Sequence, residues 1–320
     1  MDGLNKHGFN SVKIKFSGGE PLLRLDLMKH IIDKMKKFEN ANVNIKYAVL
    51  SNGTLIDREK AIFLKEHKIG IGISLDGYGD SHDETRKDVH GRGSFKRIEN
   101  NIQVLRKEGI SPYIMATISE KTIYDLPALT LWLLNNKLYS RYSFVRYLDY
   151  SSMDYRRFCK KIITSVKKCF NVIKEHSFGP DFVLNWKVAD LSFEYQIERQ
   201  PCGIAKSHIV VNHRGELVLC PMLLDMPMGT VDGDIFEQYG RFEHKYVQVK
   251  PENQNCQRCQ WHGVCGTGCP QLNESLAGHP NQRSPFCSAY CWLIPGYINI
   301  YGWALNQLAA GQVQNRFWKE

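Results

Sequence analysis

The densest chemistry in this chain of 320 residues is one short stretch. Cys256, Cys259, Cys265 and Cys269 stand in a C-x2-C-x5-C-x3-C run. Four thiols so close together can converge on one metal centre, and thiolates at this density serve chiefly zinc or iron–sulfur ligation. Gly263, Gly266 and Gly268 lie among them and suit a backbone folded tightly about such a centre, because glycine adopts positive φ at no steric cost. For this loop by itself, a disulfide knot and a zinc site compete with an iron–sulfur cluster. The chain carries ten cysteines and no signal peptide, which favours a reducing compartment and metal over disulfides.

More cysteines flank the loop. Upstream are Cys202 and a G-x4-C pair, Gly215 and Cys220, closing an apolar run; downstream are Cys287 and Cys291. Counting them moves the balance from zinc toward iron–sulfur. Cys159 and Cys169 fall within a long helical pattern and read as core residues, as free cysteine usually does. Nearer the start, three strand-like runs end in residues fit to meet a ligand. The first ends at Ser17, Gly18, Gly19, Glu20 and Pro21, the second at Ser51, Asn52, Gly53 and Thr54, and the third at Ser74, Leu75, Asp76 and Gly77, with His82, Asp83, Glu84, Thr85 and Arg86 following. Gly18 and Gly19 let backbone approach a bound group closely. Glu20 can accept hydrogen bonds from an ammonium, and Arg86 can clamp a carboxylate. Taken singly, each of these residues also has an ordinary structural use.

The elements that must hold these residues alternate. Strands are expected over Ser11–Phe16, Val43–Leu50, Ile69–Leu75, Pro112–Thr117 and Tyr142–Leu148. Helices are expected from near Leu22, over Arg58–Glu66, Phe95–Lys107, Leu126–Asn135 and Tyr155–Glu175, with a polar loop over Tyr78–Gly93. Such alternation predicts a parallel sheet flanked by helices, a full or partial barrel. Ligands bind at the carboxyl ends of its strands, where Glu20, Asn52 and Asp76 fall. Met1–Phe9 reads as the tail of a helix, so the chain is expected to open inside an element. Length predicts two domains, or one barrel with an appendage; the expected division is 1–178 and 179–320. The formal charge of +9 is spread along helical faces with no basic block or aromatic stripe, which argues against nucleic acid as partner. The apolar run Trp292–Ala310 is broken by Pro295, Gly296, Asn299, Gly302, Asn306 and Gln307. It is too polar for a membrane span and reads as a buried C-terminal helix packed on the cysteine-rich domain.

The order C…G-x4-C…C-x2-C-x5-C-x3-C…C resembles the SPASM domain, the auxiliary-cluster module of radical S-adenosylmethionine (SAM) enzymes. The three strand ends, GGEP, SNGT and ISLDG with HDETR, resemble the radical SAM core. The resemblance implies an α/β fold: a partial (β/α)6 TIM-like barrel lacking its first strand, plus a small cysteine-rich Fe–S domain and a C-terminal helix. It implies two auxiliary 4Fe-4S clusters, one on Cys256, Cys259, Cys265 and Cys287, the other on Cys202, Cys220 and Cys269, with no role for Cys291. Gly18, Gly19 and Glu20 would receive the amino end of SAM. Ser74 and Arg86 would contact its methionine or ribose part, with Ser51 and Asn52 nearby.

The family's C-x3-C-x2-C motif, which holds the SAM-cleaving cluster, does not occur in the 320 residues. That third cluster is therefore expected only in an intact parent, this chain as a truncated form is expected to be inactive, and its first strand is expected to leave an open edge. Sulfatase-maturing relatives carry an eighth cysteine a few residues before the Cys202 position, where Tyr195–Pro201 has no thiol, and an aspartate after the G-x4-C cysteine, where this chain has Pro221. Asp225 is the candidate base in its stead. The implied activity is an oxidoreductase that modifies a peptide or protein by hydrogen-atom abstraction, the auxiliary clusters taking up the electron. Sulfatase maturation by formylglycine formation and a non-catalytic Fe–S or zinc module are the alternatives. A flavodoxin or ferredoxin electron donor and a cytoplasmic location are implied, with neither membrane nor nucleic acid. The tyrosines Tyr139, Tyr142, Tyr147, Tyr150 and Tyr155 suit either a peptide groove or half-buried packing.

Overall fold

A computed structural model describes residues 7–39, 43–146, 154–176, 179–188, 203–204, 208–241 and 254–313. Two compact units emerge. One comprises Phe9–Val145, Lys161–Ala189 and Gly296–Glu320; the other comprises Met1–Gly8, Arg146–Lys160 and Asp190–Pro295.

The first unit is built on six strands in strictly sequential order: β1 (Ser11–Phe16), β2 (Asn44–Ser51), β3 (Ile69–Ser74), β4 (Tyr113–Ile118), β5 (Ser140–Phe144) and β6 (Trp186–Val188). Every neighbouring pair is parallel, so each connection must cross over, and helices make the crossings. These are α1 (Leu25–Glu39), α2 (Arg58–Glu66), α3 (Asp80–Thr85), α4 (Phe95–Lys107), α5 (Leu126–Asn135), α6 (Tyr155–Glu175) and α7 (Pro180–Asn185). Short 3-10 turns, Pro21–Leu23 and Ile123–Asp125, precede α1 and α5.

Local sequence explains these elements. Phe95, Ile98, Ile102 and Leu105 recur on one face of α4 and are all buried, the stripe a helix lays against a sheet. Asp57 caps α2 by accepting from the Lys60 amide, and Pro127 sits in the first turn of α5, where its missing N–H costs nothing. Ile71, Ile73, Ile114, Ala116, Ile118 and Tyr142 fill the sheet core.

Arg58–Glu66, Phe95–Lys107, Leu126–Asn135 and Tyr155–Glu175 are helical at the expected bounds. Two elements escape the sequence pattern. Asp80–Thr85, within the expected polar loop, is α3. Beyond residue 178, β6 pairs with β5 and belongs to this first unit.

The second unit contains a small antiparallel sheet, β7 (Val210–Val211), β8 (Glu216–Val218) and β9 (Gly229–Thr230). Short helices follow: α8 (Ile235–Gly240), α9 (Gln254–Gln257), α10 (His262–Cys265) and α11 (Pro270–Ala277). The last helix, α12 (Cys287–Ala309), starts earlier than Trp292, and the two units divide at Pro295 within it. Its later half does not join the cysteine-rich unit: the Tyr297 hydroxyl meets the carbonyl oxygens of Val183 and, at 2.6 Å, Trp186 in the first unit. No helix among the described residues is long and apolar enough to cross a membrane.

Candidate cofactor sites

The strand-end site lies where β1, β2 and β3 finish. Gly18 has φ of +109°, and a Cβ added at Gly18 or Gly19 would meet nothing within 4 Å. The backbone there faces open space that a ligand can enter. Glu20 behaves otherwise. Its carboxylate accepts from the Leu22 amide at 3.1 Å, the Ser51 hydroxyl at 2.8 Å and the Asn52 amide at 2.8 Å. It caps the 3-10 turn and staples the end of β1 to the end of β2. Ser51 is buried and also accepts from the Gly53 amide at 3.0 Å. The Asn52 side-chain carbonyl accepts from the amide and hydroxyl of Thr54, an Asx turn that shapes the loop. Sequence reasoning offers Glu20 to an ammonium; in the structure three internal donors occupy three of its roughly four acceptor sites, which leaves one on Oε2.

The third strand end is organised by Asp76. This buried carboxylate accepts from Arg86 Nε at 2.5 Å and from the Thr117 amide at 2.7 Å, joining α3 to the ends of β3 and β4. Ser74 is the last residue of β3, in register with Met115. Arg86, half-exposed, directs two of its five N–H donors at Asp76. His82, fully buried, accepts from the Asp76 amide at Nδ1 and meets the Ser94 hydroxyl at Nε2, 2.9 Å away. Burial holds its pKa below the ordinary histidine value, and the nearby Asp76 charge only partly offsets that. His82 is therefore the tertiary anchor of α3.

The second site is a cavity of about 260 Å³ in the cysteine-rich unit, lined by Cys256, Cys259, Cys265, Cys287 and Cys291 together with Arg283. The four thiols assigned to one cluster do face one space. Among the described residues, no group of three or more His, Cys, Asp or Glu is placed to hold a single metal ion. Sulfurs on one tetrahedral zinc would crowd to about 3.8 Å from one another. Thiols ranged round a space several times the ~30 Å³ share of one water instead fit a polynuclear group. Electrostatics agree. Burial and then the neighbouring thiols raise the pKa of Cys256, and burial pushes Cys265 up to about 11. Such sulfurs become thiolates together only with a cation among them.

The loop geometry follows from its glycines. Gly266, Thr267 and Gly268 take φ of +47°, +65° and +81° in succession. The chain thus reverses between Cys265, on the cavity, and Cys269, which caps the start of α11. Gly263 needs no such freedom, being inside α10. In the G-x4-C pair, Gly215 closes the β7–β8 turn at φ +77°, with Asn212 Oδ1 accepting from the amides of Arg214 and Glu216. Strand β8 then delivers Cys220 to a small apolar cluster with Ile204, Leu219 and Tyr239. Cys202 lies outside the described residues, as do Tyr147 and Tyr150. Asp225, the candidate base, has a side chain 92% exposed, 3.9 Å from Arg214. Cys159 and Cys169 are buried in α6. Tyr142 and Tyr155 are buried, and Tyr139 donates to Asp181, so these three pack and brace.

Three residues of the cysteine-rich unit carry no motif. Asn273, buried, reaches the carbonyls of Thr267, Pro280 and Gln282 and braces the cysteine loop. The Arg283 guanidinium lines the same cavity, and the neighbouring Cys287 raises its pKa. Cys291 lies one helical turn from Cys287, a spacing that places both on one face.

Residues 4–128 match the radical SAM superfamily. Over 315 residues the chain is 24% identical to a cysteine-type anaerobic sulfatase-maturating enzyme of Clostridium novyi (strain NT), covering 91% of this chain and 82% of that protein. The fold aligns with native anSMEcpe with bound AdoMet and Kp18Cys peptide at a TM-score of 0.72 and 20% identity, covering 92% and 86% of the two chains. It aligns with Streptococcus suis SuiB bound to precursor peptide SuiA at 0.62 and 15%, covering 89% and 67%. The parallel sheet is thus the TIM-like α/β fold of that group, and a radical SAM domain implies a 4Fe-4S cluster and SAM as cofactors. Residues 4–128 thus carry a radical SAM domain, and over most of its length the chain is similar to the anaerobic sulfatase-maturating enzymes.

Proposed function

We propose that this protein belongs to a radical SAM/SPASM oxidoreductase that modifies a peptide or protein substrate in the cytoplasm, with auxiliary 4Fe-4S clusters and a flavodoxin- or ferredoxin-type electron donor. The observation that carries the reading is the single cavity shared by Cys256, Cys259, Cys265 and Cys287. SAM with its reducing cluster supplies a hydrogen-atom-abstracting radical, and the auxiliary clusters accept an electron. The chain's own residues bind and shield. Gly18 and Gly19 leave the β1 end open to the amino end of SAM. Glu20, Ser51 and Asn52 fix the shape of that opening, and Arg86, steadied by Asp76, faces the methionine or ribose part with Ser74 beside it. Cys202, Cys220 and Cys269 form the second auxiliary set, and residues 1–178 and 179–320 divide the labour between SAM and cluster binding.

Peptide substrates are favoured by the relatives, since anSMEcpe and SuiB both have structures with peptides bound. Sulfatase maturation is the narrower alternative, favoured by the homology along most of the chain and opposed by Pro221 and the exposed Asp225. Without a C-x3-C-x2-C motif in these 320 residues, the chain alone should not cleave SAM. The test is anaerobic reconstitution with iron and sulfide. Two auxiliary clusters give about eight of each per chain, and one gives about four. A colourless zinc protein would refute the electron-transfer role.

A further inference from the structure

The cysteine-rich cavity holds one thiol too many. A cubane takes four thiolates, and Cys256, Cys259 and Cys265 come from the loop, which leaves one position for helix α12. That helix brings two sulfurs, Cys287 and Cys291, to the same cavity. They lie four residues apart, on one face, with their Sγ atoms 4.0 Å apart. That spacing is informative. Two sulfurs bound to one tetrahedral metal at about 2.3 Å stand about 3.8 Å apart. Thiolates on different irons of a cubane stand farther apart, because the metal–metal separation intervenes. The pair therefore addresses a single metal position.

We propose that Cys287 and Cys291 are interchangeable thiolates for one iron of the auxiliary cluster, so that helix α12 can hold that iron through either sulfur. This rests on the cluster reading of the cavity. The two positions are not equivalent. The Arg283 guanidinium shares the cavity and acts most strongly on Cys287, which is partly buried, while Cys291 is exposed. Hydrogen bonds to ligand sulfur and solvent exposure are the features that set a cluster's potential. Ligation through Cys287 sets the arginine's positive charge nearest the ligand sulfur, which favours the reduced cluster and raises the midpoint potential, whereas ligation through Cys291 gives up that proximity. The exchange breaks one iron–thiolate bond and forms another at the same iron. One thiol gains the proton that the other releases, and no electron is transferred.

The test is anaerobic reconstitution of the full chain with ferrous iron and sulfide, in wild type, Cys287→Ser, Cys291→Ser and the double variant. Iron, sulfide, visible absorbance and redox midpoint are recorded. Each single variant should keep the wild-type iron and sulfide count. Cys287→Ser should show a lowered midpoint and Cys291→Ser an unchanged one. The double variant should lose at least one iron per chain and give the spectrum of a three-iron or absent cluster. If Cys287→Ser falls as far as the double variant, Cys291 is a bystander and the proposal is overturned. Retention of full iron by the double variant overturns it equally, since neither thiol then binds. A separate control tests the underlying reading: if Cys256→Ser/Cys259→Ser leaves the iron count unchanged, the cavity holds no cluster and both ideas fall together.

Discussion

Replacing Glu20 by alanine removes three acceptor contacts at once: those to the Leu22 amide, the Ser51 hydroxyl and the Asn52 amide. Hydrogen bonds to a charged group contribute about 1.5–3 kcal/mol each, and orphaned donors cost more when buried. The carboxylate is half-buried and water can replace part of what is lost. The contacts also act as a unit, so the sum is not additive. An overall cost of about 3 kcal/mol is expected, concentrated where β1 and β2 end, which raises the local opening constant roughly a hundredfold. Native-state hydrogen exchange reads this directly: the Asn52 and Leu22 amides should lose protection, while the amides of α4 should not. Ser51→Ala, which removes one of the three contacts together with the bond to Gly53, should lower Asn52 protection by less. The reasoning is refuted if Glu20→Ala changes Asn52 protection by less than about twofold. It is also refuted if Glu20→Gln leaves protection intact yet weakens SAM binding tenfold, because the carboxylate would then act on the ligand itself.

Two further predictions follow from buried geometry. Gly268→Ala must accept φ of +81° and would place its Cβ 2.8 Å from Ser284 Oγ and 3.2 Å from the Tyr290 ring; reconstituted iron should fall and the unfolding midpoint should drop. Gly278→Ala, at φ +75° with nothing within 4 Å, should carry only the backbone cost of about 1–2 kcal/mol and keep its iron. His82 binds its proton less readily folded than unfolded. The unfolded chain therefore takes up more protons below its ordinary value of about 6.5, and the stabilisation present above that pH is lost as pH falls. Urea titrations from pH 7.5 to 5 should show wild type weakening more steeply than His82→Gln; parallel slopes would remove His82 as the cause.

Much of this was legible in the chain. Helices α4 and α6 announce themselves by apolar period, and α5 by a nearly continuous apolar run of helical length. The resemblance to the SPASM module groups Cys256, Cys259, Cys265 and Cys287, which line one cavity, whereas spacing alone groups the first three with Cys269. Other features are tertiary. Asp80–Thr85 has no apolar period, and its helix is anchored by the buried His82 ring and the Asp76–Arg86 pair. The three residues of β6 are too few to show alternation, and only pairing with β5 makes them a strand. The internal role of Glu20 is hidden in sequence, because nothing there shows that Ser51 and Asn52 donate to it. Cys291 has no place in a motif, but its four-residue spacing from Cys287 was the available signal.

The sequential order of the six strands bears on how the chain folds. Each strand pairs only with its predecessor and its successor along the chain, so every pairing closes a single crossover of a few tens of residues. The entropy of such a closure rises only slowly with loop length. Assembly can start at any adjacent pair and spread in both directions, much as repeat proteins do. An error at one end of this order leaves the registers of the inner pairs untouched, and β1 and β6, each paired with one neighbour among the described strands, are the ones whose loss the remaining sheet can best survive.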